Sequence, residues 1–132
     1  MWSTISAMSA DLAATFATLK PVLVSCSKRL AVKADTAREY TLVTKSASPF
    51  PQHKGQPMYF GSVRRGKAYI SFLLLPRYMS PKLTSGISPA LKKRMQGKTY
   101  FNFKGAPGPE VLAELQRLTE ASLEQWRESN WV

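Results

Sequence analysis

Few side chains in this sequence are equipped for chemistry. One cysteine, Cys26, and one histidine, His53, leave no internal disulfide and no zinc site built on Cys and His within the chain. Outside residues 110–132 the only acids are Asp11, Asp35 and Glu39. A nucleophile–histidine–acid set therefore has almost no members to draw on, and a working pair of carboxylates is equally hard to place. Cys26 falls on an apolar helical stripe and reads as a buried structural thiol. His53 sits in a proline-rich loop beside Phe50 and Lys54 and reads as an exposed bystander. Gly97-Lys98-Thr99 has the ending of a phosphate-binding loop, but Lys92 stands where the earlier glycine belongs, and a strand pattern follows where a helix is required. Gly105-Ala106-Pro107-Gly108 has the outline of a GxxG RNA-binding loop, yet it contains a proline and no basic residue, so it reads as a turn. No catalytic residue, metal ligand or cofactor is expected.

Charge is the stronger signal. The 132 residues carry 19 Lys and Arg against 8 Asp and Glu, a net charge of +11. Residues 12–109 hold 17 of the basic residues and two acids, whereas residues 110–132 hold five glutamates and two arginines. A basic body with an acidic last segment attracts phosphates or carboxylates to the body. Glu110 and Glu114 also suit the first turns of a helix.

The elements that position these groups follow from periodicity. Leu12, Phe16, Leu19, Leu23, Cys26 and Leu30 recur at steps of three and four, the stripe of a helix packed on one side. Ser9 is the candidate N-cap, and Pro21 either kinks this helix or restarts it. A short run, Leu30 to Lys33, precedes a strand over Tyr40–Thr44, and Ser46 to Pro57 is a loop with three prolines. Strands over Met58–Val63 and Ala68–Leu75 flank a hairpin tip, Arg64-Arg65-Gly66-Lys67, with Gly66 placed to take a positive φ. The second of these strands is apolar on both faces, as a central strand would be, and Pro76 ends it. Ser88 caps a short helix from Pro89 to about Met95, and Gly97 closes it. Thr99–Phe103 is a last strand, and Pro109 opens a closing helix to about Glu128 with a stripe through Leu115, Leu118, Ser122, Leu123 and Trp126. Connections too short for crossover helices make most of the pairing antiparallel. The expectation is a single two-layer α+β domain, residues 1–132, with a sheet of about five strands packed by the N-terminal and C-terminal helices.

No apolar run reaches the roughly 20 residues that span a bilayer. Leu23-Val24-Ser25-Cys26 has the shape of a lipoprotein cleavage site, but Asp11, Lys20 and Pro21 interrupt the segment that would precede it. A free thiol without a partner fits a reducing compartment, so a cytoplasmic location is expected, with no membrane role.

One resemblance covers most of the chain, from about Phe16 to Trp126. Tyr59-Phe60-Gly61-Ser62-Val63, Gly66 to Phe72, Pro76-Arg77-Tyr78-Met79-Ser80-Pro81 and above all Leu91-Lys92-Lys93-Arg94-Met95-Gln96-Gly97-Lys98-Thr99-Tyr100-Phe101-Asn102-Phe103-Lys104 resemble the YdhG-like family of small bacterial domains. The resemblance implies a compact α+β fold. It also implies a frataxin-like iron-chaperone role, since some members are so described; the acids available for it are Glu120, Glu124 and Glu128, spaced by four on the last helix. Similar sequences carry His where this one has Leu73 and Cys where it has Tyr100.

The leading functional expectation is a non-enzymatic domain that binds a small anionic ligand or an acidic partner in a basic, aromatic-lined cleft. Lys67 and Lys98 would supply charge, and Tyr69 and Tyr78 would supply hydroxyls and ring faces. The alternative is sequence-independent nucleic-acid binding through Arg64, Arg65, Lys67, Lys92, Lys93 and Arg94 on one face.

Overall fold

A computed structural model describes residues 2–75, 86–96 and 100–132, with residues 2–11 and 53 described by their backbone. The chain is α+β: an antiparallel sheet packed by an N-terminal and a C-terminal helix. Helix α1 spans Trp2–Val24, strands β1 and β2 span Ala31–Asp35 and Glu39–Val43, and β3 and β4 span Tyr59–Arg65 and Ile70–Leu74. A short helix α2, Pro89–Lys92, leads to β5 (Met95–Gln96) and β6 (Tyr100–Phe103), and α3 closes the chain over Pro109–Glu128. The six strands lie in the order β1-β2-β3-β4-β6-β5, and every neighbouring pair is antiparallel.

α1 runs unbroken through Pro21. Pro21 is exposed, so its ring lies on the solvent side, and the chain recovers at once with a Ser25 N–H bond to the Pro21 carbonyl of 3.1 Å. The helix begins at Trp2, which places Ser9 inside it and not at its cap. Ala7, Met8 and Ala10 favour continuation, and the capping preference of one serine does not override them. The whole stripe from Leu12 to Leu30 is buried. It faces Tyr40, Leu42, Val63, Ile70, Phe72, Leu74, Phe101 and Phe103, all buried on the strands.

Two irregularities shape the sheet. Leu42 pairs with Gly61 and Val43 with Tyr59, so Phe60 is an extra residue on β3. Such a bulge breaks the alternation of faces. Phe60 is fully buried and packs edge-on against Trp126 of α3, centroids 5.5 Å apart. On β1 the register slips between Val32 and Ala34. The unpaired Lys33 turns its ammonium over the Tyr59 ring, 4.5 Å from the centroid, and donates to the Tyr59 hydroxyl at 2.7 Å.

The β3–β4 connection differs from its sequence reading. The strands continue to Arg65 and resume at Ile70, so the turn is Gly66 to Tyr69, and Ala68 and Tyr69 belong to it. Gly66 has no positive φ; its N–H donates to the Tyr69 carbonyl at 2.9 Å, and a Cβ there would stand 3.1 Å from that oxygen. Close approach, and not a left-handed backbone, is what glycine supplies. The short helix also ends earlier than its sequence suggests, at Lys92, because Met95 and Gln96 extend to pair with Phe101 and Tyr100. That pairing shields the flank of β6, which would otherwise leave a row of backbone groups unmatched. Pro76, Gly97 and Thr99 lie outside the described residues.

α3 starts as expected at Pro109 and buries Leu115, Leu118, Thr119, Ser122 and Trp126. The hydroxyls of Thr119 and Ser122 donate to the Leu115 and Leu118 carbonyls one turn back, so neither is left unmatched in the core. The Glu114 carboxylate accepts from both the backbone N–H and the hydroxyl of Ser88, at 2.6 and 2.5 Å, and Ser88 in turn caps α2 at Leu91. Helix α2 is thereby held against α3.

Cys26 and Leu30, read by sequence as part of the helical stripe, lie beyond the end of α1 at Val24, and Cys26 is 3% exposed. Burial pushes its thiol above its ordinary value, partly offset by a bond to the Ser25 hydroxyl. The folded thiol therefore stays neutral, and its contribution to stability is complete at neutral pH and declines as pH rises past the ordinary thiol range. A disulfide reagent at pH 8 should modify the folded chain about a hundredfold more slowly than the urea-unfolded chain. Equal rates would show that Cys26 is not buried in solution.

Candidate anion-binding surface

The basic residues that the fold brings together lie at one end of the sheet. The Thr36–Arg38 turn, the Gly66–Tyr69 turn and the exit of β6 all fall there, because the strands are antiparallel and in close register. The Arg65 N–H donates to the Arg38 carbonyl at 2.8 Å, which ties the first two turns together. Arg65 pairs with Ile70, and Ile70 with Phe103, so Lys104 emerges beside the same edge. Arg38, Arg64, Arg65, Lys67 and Lys104 thus line a rim roughly 15 Å wide, three strand spacings from β2 to β6. Arg38, Arg64, Lys67 and Lys104 are exposed.

The acids at this end are already engaged. Asp35 accepts from Lys20 at 2.8 Å. Glu39 accepts from the Thr41 hydroxyl at 2.6 Å and lies 3.7 Å from the Arg64 guanidinium. The Thr36 hydroxyl shapes the first turn by accepting from the Arg38 and Glu39 N–H groups, at 3.1 and 3.0 Å.

Alternation divides the rim between two faces. Arg65 is in register with Ile70 and Phe103, whose side chains point to the helices. Arg64 is in register with Ser71 and Asn102 on the opposite face, where Ser71 and Asn102 are half-buried and Thr41 and Ser62 are buried. Arg94 lies over the Phe103 ring at 5.6 Å, on the helix side, and Lys92 and Lys93 are exposed on and just after α2. The six cations grouped by sequence as a nucleic-acid surface are therefore distributed over both sides of the sheet. Lys67 and Tyr69 share one turn, with Tyr69 40% exposed. Tyr78 and Lys98 lie outside the described residues. Leu73 and Tyr100 are direct cross-strand partners on the face turned from the helices, in one row with the buried Thr41 and Ser62, and of the four Tyr100 is the exposed one.

Arg38, Lys104 and Tyr100 are the surface residues that sequence reasoning passed over. Each sits next to an element boundary, and only strand order reveals that they share an edge or a face with Lys67 and Tyr69.

A cleft of about 500 Å³ opens elsewhere, between α2 and the first turns of α3, lined by Ser88, Pro89, Ala90, Glu110, Val111, Glu114 and Arg117. Neither Lys67 nor Tyr69 is on its wall, and its Glu114 carboxylate is committed to Ser88. On α3, Glu120 accepts from Gln116 at 3.0 Å, and Glu124 is paired with Arg127, which holds its carboxyl below the usual range. Among the described residues no group of three or more His, Cys, Asp or Glu could hold a metal ion. Nor, among them, is any helix long and apolar enough to cross a membrane. No protein-family model, curated protein or solved structure matches the chain.

Proposed function

We propose that this chain is a binding domain, not an enzyme, and that its partner is an anion that docks on the basic turn end of the sheet. The observation that carries this reading is the convergence of Arg38, Arg64, Arg65, Lys67 and Lys104 on one edge whose two acids are already engaged. Lys67 supplies a mobile charge at the tip of a turn, and Tyr69 in the same turn supplies a ring and a hydroxyl. An open rim of exposed cations suits an extended partner better than a small enclosed one, because each exposed charge is screened by water and contributes little alone. Several acting together on a polyanion release counterions, and that release drives association.

The test is anisotropy of fluorescein-labelled polyphosphate titrated with the chain from about 50 to 200 mM salt. Engagement of four or five cations predicts log affinity falling against log salt with a slope of about −3 to −4. The double variant Arg38→Glu, Lys67→Glu should flatten that slope and weaken binding at least about tenfold while leaving the melting temperature within a few degrees, since both side chains are exposed. Absence of binding at the lowest salt, or a double variant that binds like the parent, overturns the reading.

A further inference from the structure

We infer that the anionic partner is single-stranded nucleic acid, with bases stacked on the exposed rings of Tyr69 and Tyr100 along the β4–β6 strip of the sheet face turned from the helices. This rests on the anion-binding reading above and adds a substrate class to it. The basic rim accounts for phosphates only; the two exposed rings beside it account for bases. Tyr69, in the turn before β4, and Tyr100, the first residue of β6, are 40% and 41% exposed. Tyr69 precedes Ile70 by one residue, which directs it away from the helices, and Tyr100 is in register with Leu73 on that same side. Tyr69 lies four residue steps before Leu73, the partner of Tyr100, so the two rings stand roughly 13 Å apart along the strand.

The ground between the rings is polar. Ser71 and Asn102 are cross-strand partners, both half-buried, and the Ser71 hydroxyl donates to Asn102 Oδ1 at 2.9 Å. That bond leaves the Asn102 amide N–H groups as donors to a base edge. Arg64, opposite Ser71 on β3, places a guanidinium at the border between this strip and the rim. Exposed rings beside a line of cations fit a splayed single strand, because every base has a π-face. A duplex hides its bases in the stack and would meet only the rim. A carboxylate-rich peptide would satisfy the rim and make no use of two exposed rings.

The experiment compares four probes on the full chain at one salt concentration: an oligothymidylate of about twelve nucleotides, its duplex with oligodeoxyadenylate, polyphosphate and polyglutamate. The oligothymidylate should bind tightest. Tyr69→Ala and Tyr100→Ala should each weaken it about tenfold, Tyr100→Ala should leave polyphosphate unchanged, and Tyr→Phe at either position should restore it. Melting curves of the variants should overlay the parent. If the four probes bind alike and the alanine variants change nothing, the inference falls and the anion-binding reading stands. Polyglutamate binding as tightly as the oligothymidylate likewise overturns the inference in favour of an acidic protein partner. If no probe binds, both readings fall.

Discussion

Trp126→Ala should destabilise the fold by about 3–5 kcal/mol, the usual cost of emptying a large aromatic site in a core. Trp126 is 1% exposed and stands at the centre of a chain of edge-on ring contacts. Its centroid lies 5.5 Å from Phe60 and 5.8 Å from Trp131, and Trp131 lies 5.4 Å from Phe50. Those contacts join α3, the bulge of β3, the end of the chain and the proline-rich loop. Trp131 is brought back onto α3 by Asn130, whose φ of 62° turns the chain, and by a bond from the Trp131 N–H to the Trp126 carbonyl of 3.0 Å. Set against a total stability of about 5–15 kcal/mol, the loss is about a fifth or more. The melting temperature should fall by roughly 10–20 °C. Trp126→Phe, which keeps a ring against Phe60, should lose less than half as much. Urea titration of the three chains decides it; a shift of the alanine variant below about 1 kcal/mol would mean that Trp126 is not the core residue its burial implies.

Gly61→Val should leave no cooperatively folded chain at 37 °C, and Gly61→Ala should lose about 1–3 kcal/mol. A Cβ on Gly61 would stand 3.0 Å from Leu23 Cδ2 and 3.0 Å from the Leu73 carbonyl oxygen. The leucine methyl can give way, but the carbonyl belongs to β4, which is hydrogen-bonded on both sides. Gly61 sits under α1 at the β3 bulge, where the helix crosses the sheet closest to the backbone. Gly105→Ala is the control, because an added methyl there meets open space. Thermal melts of the three variants test the argument; a Gly61→Ala chain as stable as Gly105→Ala would show that the sheet moves aside at little cost.

The helices and the core strands were legible because their signal is local. The three-and-four spacing from Leu12 to Leu23 requires one buried face whatever the partner is, although α1 ends at Val24 and leaves Cys26 and Leu30 beyond it, and Pro109 with the stripe to Trp126 marks the last helix at both ends. Alternation along Ile70, Phe72 and Leu74 marks a strand in the same way. The α+β class follows from these elements and from loops too short to cross over. Boundaries were less legible. Ser9 looks like a cap, yet nothing in its neighbours stops the helix. Met95 and Gln96 look like the end of a helix, yet they become a strand because β6 offers them a partner.

The candidate surface was legible in kind and not in membership. Net charge pointed to a basic surface, and Lys67 and Tyr69 were paired in the sequence reading because they stand two residues apart. Arg38, Lys104 and Tyr100 come from separate segments. What joins them is strand order, which depends on pairings between residues far apart in sequence. Alternation also separates Arg64 from its neighbour Arg65, since successive side chains on a strand point to opposite faces.

By itself, then, the sequence determined the helical stripes, the strands, the charge and the shortage of catalytic groups, because periodicity and composition are properties of neighbours along the chain. Tertiary structure alone decided that three separate basic segments share one end of the sheet, that Phe60 turns inward at a bulge, and that an exposed Tyr100 stands beside Leu73 on the face turned from the helices. Those outcomes depend on register, and register is set by the packing of the whole sheet against its helices.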